Sequence, residues 1–400
     1  MEWAGVAAFV LVGGLTELAR RLAIRFALTD DPGPHKGHKR PTPHLGGVVI
    51  AVGVLIPSAV ALSGGDTRLR VLLLAATVVA ILGLVDDLRR LTPRARLIVE
   101  GLAAASVVAV GGRIEIFGNG LDGVLAVVWI VVITNSFNLL DNMDGVAAGV
   151  ACVTGAVLSF AAFMVGQRSI GVVLLALACA CAGFLLHNWT PARIFMGDAG
   201  SLFIGFVISA SALLVCARSV HHATIAGPLL VTFVATVDTG VVLVSRHRAG
   251  RPLMLGGTDH VSHRLRRLGL STSQVALALS ATAALTCLAV IPVLRGWVPA
   301  LLPLAIALGA GSLLVWLLQK VPVYATTPGP ALSYAENISV KGGSTNRGTA
   351  LLRARTAAPM DGPGGIGPAR IDRGRTGDGA DDPAVRRVDH LDRVRARRHR

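Results

Sequence analysis

The 400-residue chain is poor in charged and aromatic side chains and has no metal-type cysteine pattern, and each shortage excludes a class of protein. Only 15% of the residues are charged, whereas a soluble domain carries about a quarter. Aromatic residues make up 4%, too few for the stacking platforms of a nucleic-acid-binding protein. The five cysteines lie inside apolar runs without metal-site spacing. With 53% hydrophobic residues, the composition predicts an integral membrane protein.

Repeated apolar runs are what the chain has in abundance, and most are near the 20 residues that span a bilayer as a helix. They predict an all-α, polytopic membrane protein of about eleven transmembrane helices. The runs cover residues 3–22, 44–63, 69–85, 96–112, 123–140, 145–166, 169–187, 199–217, 223–245, 273–294 and 297–319.

The loops between these runs differ in charge, and the difference predicts the orientation. Most of the loop lysines and arginines lie in the odd-numbered loops, which the positive-inside rule assigns to the cytoplasm. The same loops carry the acidic and histidine clusters. One cytoplasmic face is therefore expected to carry the chemistry, from residues 29–43, 86–96, 135–145, 187–198 and 246–263.

The character of the sequence changes after the last run. Residues 1–320 are interpreted as one multi-span domain. Residues 321–400 are rich in Gly, Pro and Arg and lack apolar periodicity, which predicts a disordered cytoplasmic tail. The net charge of +15 is explained by basic loops and this tail, so no nucleic-acid partner is expected.

Three carboxylates stand out beside apolar runs. Asp86 and Asp87 follow the third run; adjacent residues on a helix point about 100° apart, so they are expected to act differently. Asp198 lies in the small-residue stretch GDAG. Each acid has a structural alternative, an ordinary helix end for the pair and a helix N-cap for Asp198. The functional alternative is Mg²⁺, which takes one or two protein carboxylates together with phosphates.

Basic side chains and histidines accompany these acids. Lys36, Lys39 and Arg40 precede a Gly-Gly pair, and glycines at a helix start permit close approach to a phosphate. His260 and His263 have no third zinc-type ligand nearby, and the surrounding arginines favour an anion. Acids for a divalent cation beside bases for phosphate indicate phosphoryl transfer between a nucleotide and a lipid.

Six segments occur in an order that resembles a known family. They are TPHLGG, GLVDDL, NSFNLLDNMDG, FMGDAGS, VDTGVVLVSRHRAGRP and DHVSHRL. The chain resembles the polyprenyl-phosphate N-acetylhexosamine-1-phosphate transferases, which include bacterial undecaprenyl-phosphate N-acetylglucosamine-1-phosphate transferases. The resemblance implies transfer of a sugar-1-phosphate from a UDP-N-acetylhexosamine to a polyprenyl phosphate, with release of UMP, in the bacterial plasma membrane. It also implies Mg²⁺, with Mn²⁺ as the alternative ion.

The resemblance also implies roles for individual residues. The expected catalytic residues are Asp86, Asp87 and Asp198, of which Asp198 and Asp86 hold the metal. Asp86 or Asp87 is expected to organise metal or phosphate, with base catalysis as the alternative, because a phosphate monoester is already mostly dianionic at pH 7. The expected substrate-binding residues are Lys39, Arg94, Asn138, Asp141, Asp144, His260 and His263.

Two positions depart from the family pattern. Asn142 stands where the family usually has glycine, and Ser262 replaces the middle residue of a histidine cluster. The segment SRHRAGRP favours an N-acetylglucosamine donor. The alternatives are a phospho-N-acetylmuramoyl-pentapeptide transferase, an ion or sugar transporter, and a catalytically silent scaffold. A homodimer stays open.

Overall fold

A computed structural model describes residues 3–26, 29–30, 42–61, 66–217, 226–252 and 257–324. The chain divides into two units, Met1–Thr326 and Thr327–Arg400, and the second unit lies outside the described residues. So do Lys39 and the predicted tail beyond residue 324.

Helices make up nearly all of the regular structure in the described ranges. A short antiparallel pair, β1 (Thr29–Asp30) and β2 (Thr42–Pro43), precedes the second helix. The helices are α1 (Trp3–Arg25), α2 (Gly46–Ala61), α3 (Thr67–Arg89), α4 (Pro93–Ala109), α5 (Gly120–Leu140), α6 (Val146–Met164), α7 (Arg168–Asn188), α8 (Gly197–Cys216), α9 (Ala226–Val231), α10 (Phe233–Arg248), α11 (Val261–Arg267), α12 (Thr272–Leu288), α13 (Val290–Leu294) and α14 (Leu301–Leu318).

The polytopic helical fold predicted from the apolar runs is confirmed, but the count of eleven spans is not. Seven helical segments in the described residues are long and apolar enough to cross a bilayer. The predicted run 223–245 is divided at Thr232 into α9 and α10. The hydroxyl of Thr232 donates to the Pro228 carbonyl at 2.8 Å, a side-chain bond that bends helices.

The centre of the bundle is α8, which is buried from Ala199 to Cys216. Two glycines let neighbouring backbones reach its N-terminal turn. A Cβ on Gly47 of α2 would lie 2.0 Å from the backbone nitrogen of Gly200, and a Cβ on Gly83 of α3 would lie 2.4 Å from the Asp198 carbonyl oxygen. Small residues permit such close helix contacts in membrane proteins. They bring α2 and α3 directly against the start of α8.

The odd-numbered loops meet at one end of the bundle. At this end α3, α5 and α7 finish, while α4, α6 and α8 begin. The first loop joins them through β2, because the backbone N–H of Phe195 donates to the Pro43 carbonyl at 2.8 Å. The predicted gathering of acidic and histidine clusters at one end therefore agrees with the packing.

Candidate active site

Asp198 lies in the first turn of α8, and that turn is capped by another helix. Met196 occupies the N-cap position without a side-chain cap bond. The carboxylate of Asp87 on α3 instead accepts the backbone N–H groups of Asp198 at 2.9 Å and Ala199 at 3.0 Å. A carboxylate there satisfies orphan N–H groups and interacts favourably with the helix dipole. The N-cap alternative for Asp198 is wrong, and its own carboxylate is available for other partners.

Arg96, on the first turns of α4, joins two carboxylates. Its Nη1 donates to Asp86 Oδ2 at 2.7 Å and to Asp198 Oδ2 at 3.3 Å. The side chains are 19% exposed for Arg96, 7% for Asp86 and 33% for Asp198. Charges withdrawn this far from water interact more strongly than a surface pair. One guanidinium therefore pairs with two carboxylates, so the group of Asp86, Arg96 and Asp198 keeps one net negative charge when both acids are ionised.

Asparagines on the last turns of α5 complete this cluster. Asn138 Nδ2 donates to Asp198 Oδ1 at 2.7 Å and to Ser201 Oγ at 2.9 Å. Asn135 Oδ1 accepts from Arg96 Nη2 at 3.5 Å, while its Nδ2 donates to the buried carboxylate of Glu100. Both oxygens of Asp198 are thereby oriented by neutral or cationic donors.

The acid loop, residues 141–145, follows the end of α5 at Leu140. Because the helix ends there, Asn142 lies beyond the helical face that carries Asn135 and Asn138. Asp144 Oδ2 accepts the backbone N–H of Ala192 at 2.9 Å and so ties the acid loop to the α7–α8 connection. Gly145 has φ +72°, a left-handed conformation that glycine adopts without strain, and it starts α6.

Asp141, the other acid of this loop, accepts no hydrogen bond on its carboxylate from the described residues. Its pKa is raised to about 8, chiefly by burial and secondly by the negative charge of Asp198. The charges of Asp87 and Asp144 act in the same direction. A cation bound in the site would therefore stabilise the ionised form of the Asp141 carboxyl.

The histidine segment, residues 257–267, is held by an acid on α10. Asp238 Oδ2 lies 2.8 Å from His260 Nδ1, and its Oδ1 accepts the backbone N–H of Val261 at 2.7 Å. A carboxylate can only accept, so Nδ1 donates and Nε2 is the nitrogen left for another partner. The His263 ring lies 6.2 Å from His260, between centroids. Burial, and then His260, lowers the pKa of His263.

Several arginines of this region have structural partners. Arg246 and Asp259 form a buried two-point ion pair at 2.8 and 3.1 Å, to which Tyr324 adds a hydroxyl bond at 2.9 Å. Burial opposes ionisation of Asp259, but the bonds from Arg246 and Tyr324 hold its pKa below the ordinary value. Arg264 donates to the Leu318 carbonyl at 2.6 Å. The expectation that arginines here favour an anion does not extend to these two.

The structure brings together most of the residues predicted for the site. Asp86, Asp87, Asp198 and Asn138 are linked by direct or shared contacts, while Arg94 is exposed on the first turn of α4. Arg96, which the sequence interpretation did not assign to the site, contacts Asp86 and Asp198. The sequence interpretation also missed Asp238, although an acid inside an apolar run is itself a signal of function.

The donor set fits a magnesium ion. No group of three or more His, Cys, Asp or Glu residues suited to a metal occurs in the described ranges. Mg²⁺ needs only one or two carboxylates when phosphates and water fill the octahedron. Asp86 and Asp198 already turn one oxygen each toward a shared cation, the Arg96 guanidinium. Oxygen ligands facing a common positive charge are the type Mg²⁺ takes.

Comparison with known proteins identifies the family. Residues 69–216 match the sequence model described as glycosyl transferase family 4. A protein of Streptomyces coelicolor named as a glycosyltransferase is 40% identical over 337 residues, covering 81% of this chain and 76% of that protein. The chain belongs to glycosyl transferase family 4. The family resemblance predicted from the six motifs is thereby confirmed.

Two further relatives carry more specific names. A decaprenyl-phosphate N-acetylglucosaminephosphotransferase of Mycolicibacterium smegmatis is 31% identical over 314 residues, covering 68% of this chain and 77% of that protein. An undecaprenyl-phosphate alpha-N-acetylglucosaminyl 1-phosphate transferase of Thermotoga maritima is 30% identical over 224 residues, covering 56% and 68%. As a member of glycosyl transferase family 4, the chain is a sugar-phosphate transferase of the membrane.

Proposed function

We propose that the protein transfers N-acetylglucosamine-1-phosphate from UDP-N-acetylglucosamine to a polyprenyl phosphate and releases UMP. The observation that carries this proposal is the Asp86–Arg96–Asp198 cluster, in a chain two of whose relatives are named as prenyl-phosphate transferases of N-acetylglucosamine phosphate. In the reaction, an oxygen of the lipid phosphate bonds to the phosphorus next to the sugar. The bond from that phosphorus to the bridging oxygen breaks, and the oxygen leaves with UMP.

The charge balance of the cluster supports a divalent cation. The Arg96 guanidinium contacts Asp86 and Asp198, the negative charges of Asp87 and Asp198 act on Asp141 nearby, and a pyrophosphate and a lipid phosphate would add further negative charge. Like charges at such separations repel strongly where water is partly excluded. We assign Mg²⁺ to Asp198 and Asp86, with Mn²⁺ as an alternative. When bound, the ion neutralises charge that develops on the phosphate oxygens.

The chain's own residues position the substrates. Arg96 contributes a cation at the reacting phosphates, and Asn138 keeps the Asp198 carboxylate in one orientation. Asp141 and Asp144 line the nucleotide-sugar side, and His260 and His263 face it from the histidine segment, as the family motifs imply. Phosphoryl transfer requires mostly such positioning and charge neutralisation.

The charge of the loops supports a location for the site. The odd-numbered loops, which meet at the cluster, carry most of the loop lysines and arginines, and this favours the cytoplasmic face of the bacterial plasma membrane. A transporter would place its acids near mid-span. Here Asp86, Asp141 and Asp198 lie at helix ends, which suits a soluble donor that binds from one side.

A product assay tests the proposal. Membranes containing the protein are incubated with a panel of UDP-sugars, Mg²⁺ and polyprenyl phosphate, and the lipid product is identified by mass. The expected product is prenyl diphosphate-linked N-acetylglucosamine, formed only when both substrates and Mg²⁺ are present. Asp198→Asn should abolish it. Undiminished product from that variant would refute the metal assignment, and a product from the muramoyl-pentapeptide donor alone would refute the donor.

A further inference from the structure

A direct side-chain hydrogen bond joins the acid loop to the histidine segment. Ser262 Oγ, which is fully buried, donates to Asn142 Oδ1. The amide nitrogen of Asn142 in turn donates to the Leu139 carbonyl at 2.8 Å. The Asn142 amide therefore connects the last turn of α5 with the first turn of α11.

The Ser262 end of this bond is held in place on both sides. Before it, Asp238 accepts from the His260 ring and from the Val261 backbone. After it, Arg264 donates to Ser245 Oγ at 2.7 Å and to carbonyls at residues 259, 318 and 321. Because α11 is fixed by these contacts, Ser262 is a rigid point against which Asn142 is set.

The two partners stand among the residues assigned to the donor. Asn142 lies between Asp141 and Asp144, and Ser262 lies between His260 and His263. This one hydrogen bond therefore links the loop that carries Asp141 and Asp144 to the segment that carries His260 and His263, and it fixes the distance between them. A shift of about 1 Å in such a site is enough to change catalysis strongly.

These are also the two positions at which the sequence departs from the family motifs. Glycine at 142 would offer no side chain, and histidine at 262 would add an imidazole. Asn142 brings an amide and an acceptor where Ser262 brings a small donor. Relative to the family, position 142 therefore gains volume and an amide, while position 262 loses volume and keeps only a hydroxyl. The two changed side chains contact each other.

We propose that Asn142 and Ser262 are a matched pair of positioning residues that set the geometry of the UDP-sugar site. This proposal rests on the proposed function. It predicts that the pair governs the donor alone, because both residues stand among those assigned to the nucleotide-sugar and neither contacts the Asp86–Arg96–Asp198 cluster in the described residues.

A double-mutant cycle tests the pair in the full-length protein. Ser262→Ala and Asn142→Ala should each raise the KM for UDP-N-acetylglucosamine about tenfold, the effect of one buried hydrogen bond. The KM for polyprenyl phosphate should stay unchanged. The double variant should show about the same tenfold increase rather than a hundredfold one, because the second change removes no further contact. Exchange to Asn142→Gly with Ser262→His should recover the donor KM to within about threefold.

Ser159→Ala is the matched control. Ser159 is a buried serine whose hydroxyl donates to the Gly171 carbonyl at 2.7 Å, near the opposite end of the bundle. Its loss should leave both KM values unchanged. Multiplying effects in the double variant, or equal increases in both KM values, would overturn the pair. If the wild-type protein turns over normally and both single variants keep the wild-type donor KM, the pair proposal is refuted while the proposed function stands. Absence of wild-type turnover with every UDP-sugar overturns the proposed function itself, and the pair with it.

Discussion

Replacing Asp87 with asparagine should weaken both the fold and the site, because this carboxylate caps the helix that carries Asp198. The two oxygens accept N–H groups of the first turn of α8 at 2.9 and 3.0 Å. Asparagine keeps one acceptor oxygen and turns an NH₂ group toward the other N–H. The variant therefore loses one charge-assisted hydrogen bond and the favourable interaction with the helix dipole.

The expected magnitude follows from these two losses. A hydrogen bond to a charged group contributes about 1.5–3 kcal/mol, and a charge at a helix end contributes about 0.3–1 kcal/mol. Asp87→Asn should lower the free energy of unfolding by about 2–4 kcal/mol. At about 2 °C per kcal/mol for a chain of this size, the Tm of detergent-solubilised protein should fall by about 4–8 °C. Turnover well below that Tm should fall at least tenfold, because Asp198 moves.

Asp122→Asn is the matched control for Asp87→Asn. The Asp122 carboxylate also accepts two backbone N–H groups, from Phe117 at 3.0 Å and Gly118 at 2.9 Å, but at the other end of α5. Its loss should lower the Tm and leave turnover within about twofold. An unchanged Tm with lost activity in Asp87→Asn would refute the capping role. Recovery of Asp87→Asn above pH 8 would instead indicate that Asp87 acts as a base.

Three further predictions address the rest of the site. Arg96→Ala should lower initial rates more than a hundredfold, because two acids lose their shared cation, whereas Arg94→Ala should stay within about twofold; equal losses would contradict this assignment. Since burial holds the pKa of Asp141 at about 8 against 3.8 ordinarily, wild-type stability should fall as the pH rises from about 4 to about 8. Asp141→Asn should remove that slope in thermal unfolding, and a persisting slope would assign it to other groups. Tyr324→Phe should cost about 1 kcal/mol of stability and raise the donor KM; an unchanged Tm would show that its bond to Asp259 contributes nothing.

Much of the fold could be predicted because a helix that crosses lipid must be apolar along most of its length, which the local sequence shows directly. The apolar runs mark the helices to within a few residues for α5, α6 and α7. Their number as spans could not be predicted, because a break such as that at Thr232 depends on side-chain to backbone bonds that a hydropathy pattern does not record. The meeting of the odd-numbered loops follows from helix alternation, and it required no knowledge of side-chain contacts.

The site was predictable in its residue types but not in its partners. Asp86, Asp87 and Asp198 were recognised from position and motif, yet nothing local distinguishes Arg96 from Arg94. The difference arises because a helix turns 100° per residue, so two positions along α4 change from the solvent side to the cluster. Likewise, the capping of α8 by Asp87 is a tertiary contact across 111 positions of sequence.

The fate of the phosphate next to the sugar tests the central claim most directly. UDP-N-acetylglucosamine labelled at that phosphate is incubated with polyprenyl phosphate, Mg²⁺ and the wild-type protein, and the label and the released nucleotide are followed together. Transfer of a sugar-1-phosphate predicts labelled lipid and UMP in equal amounts, both absent with Asp198→Asn. Release of UDP with an unlabelled glycolipid would show that only the sugar moves, and would contradict the account.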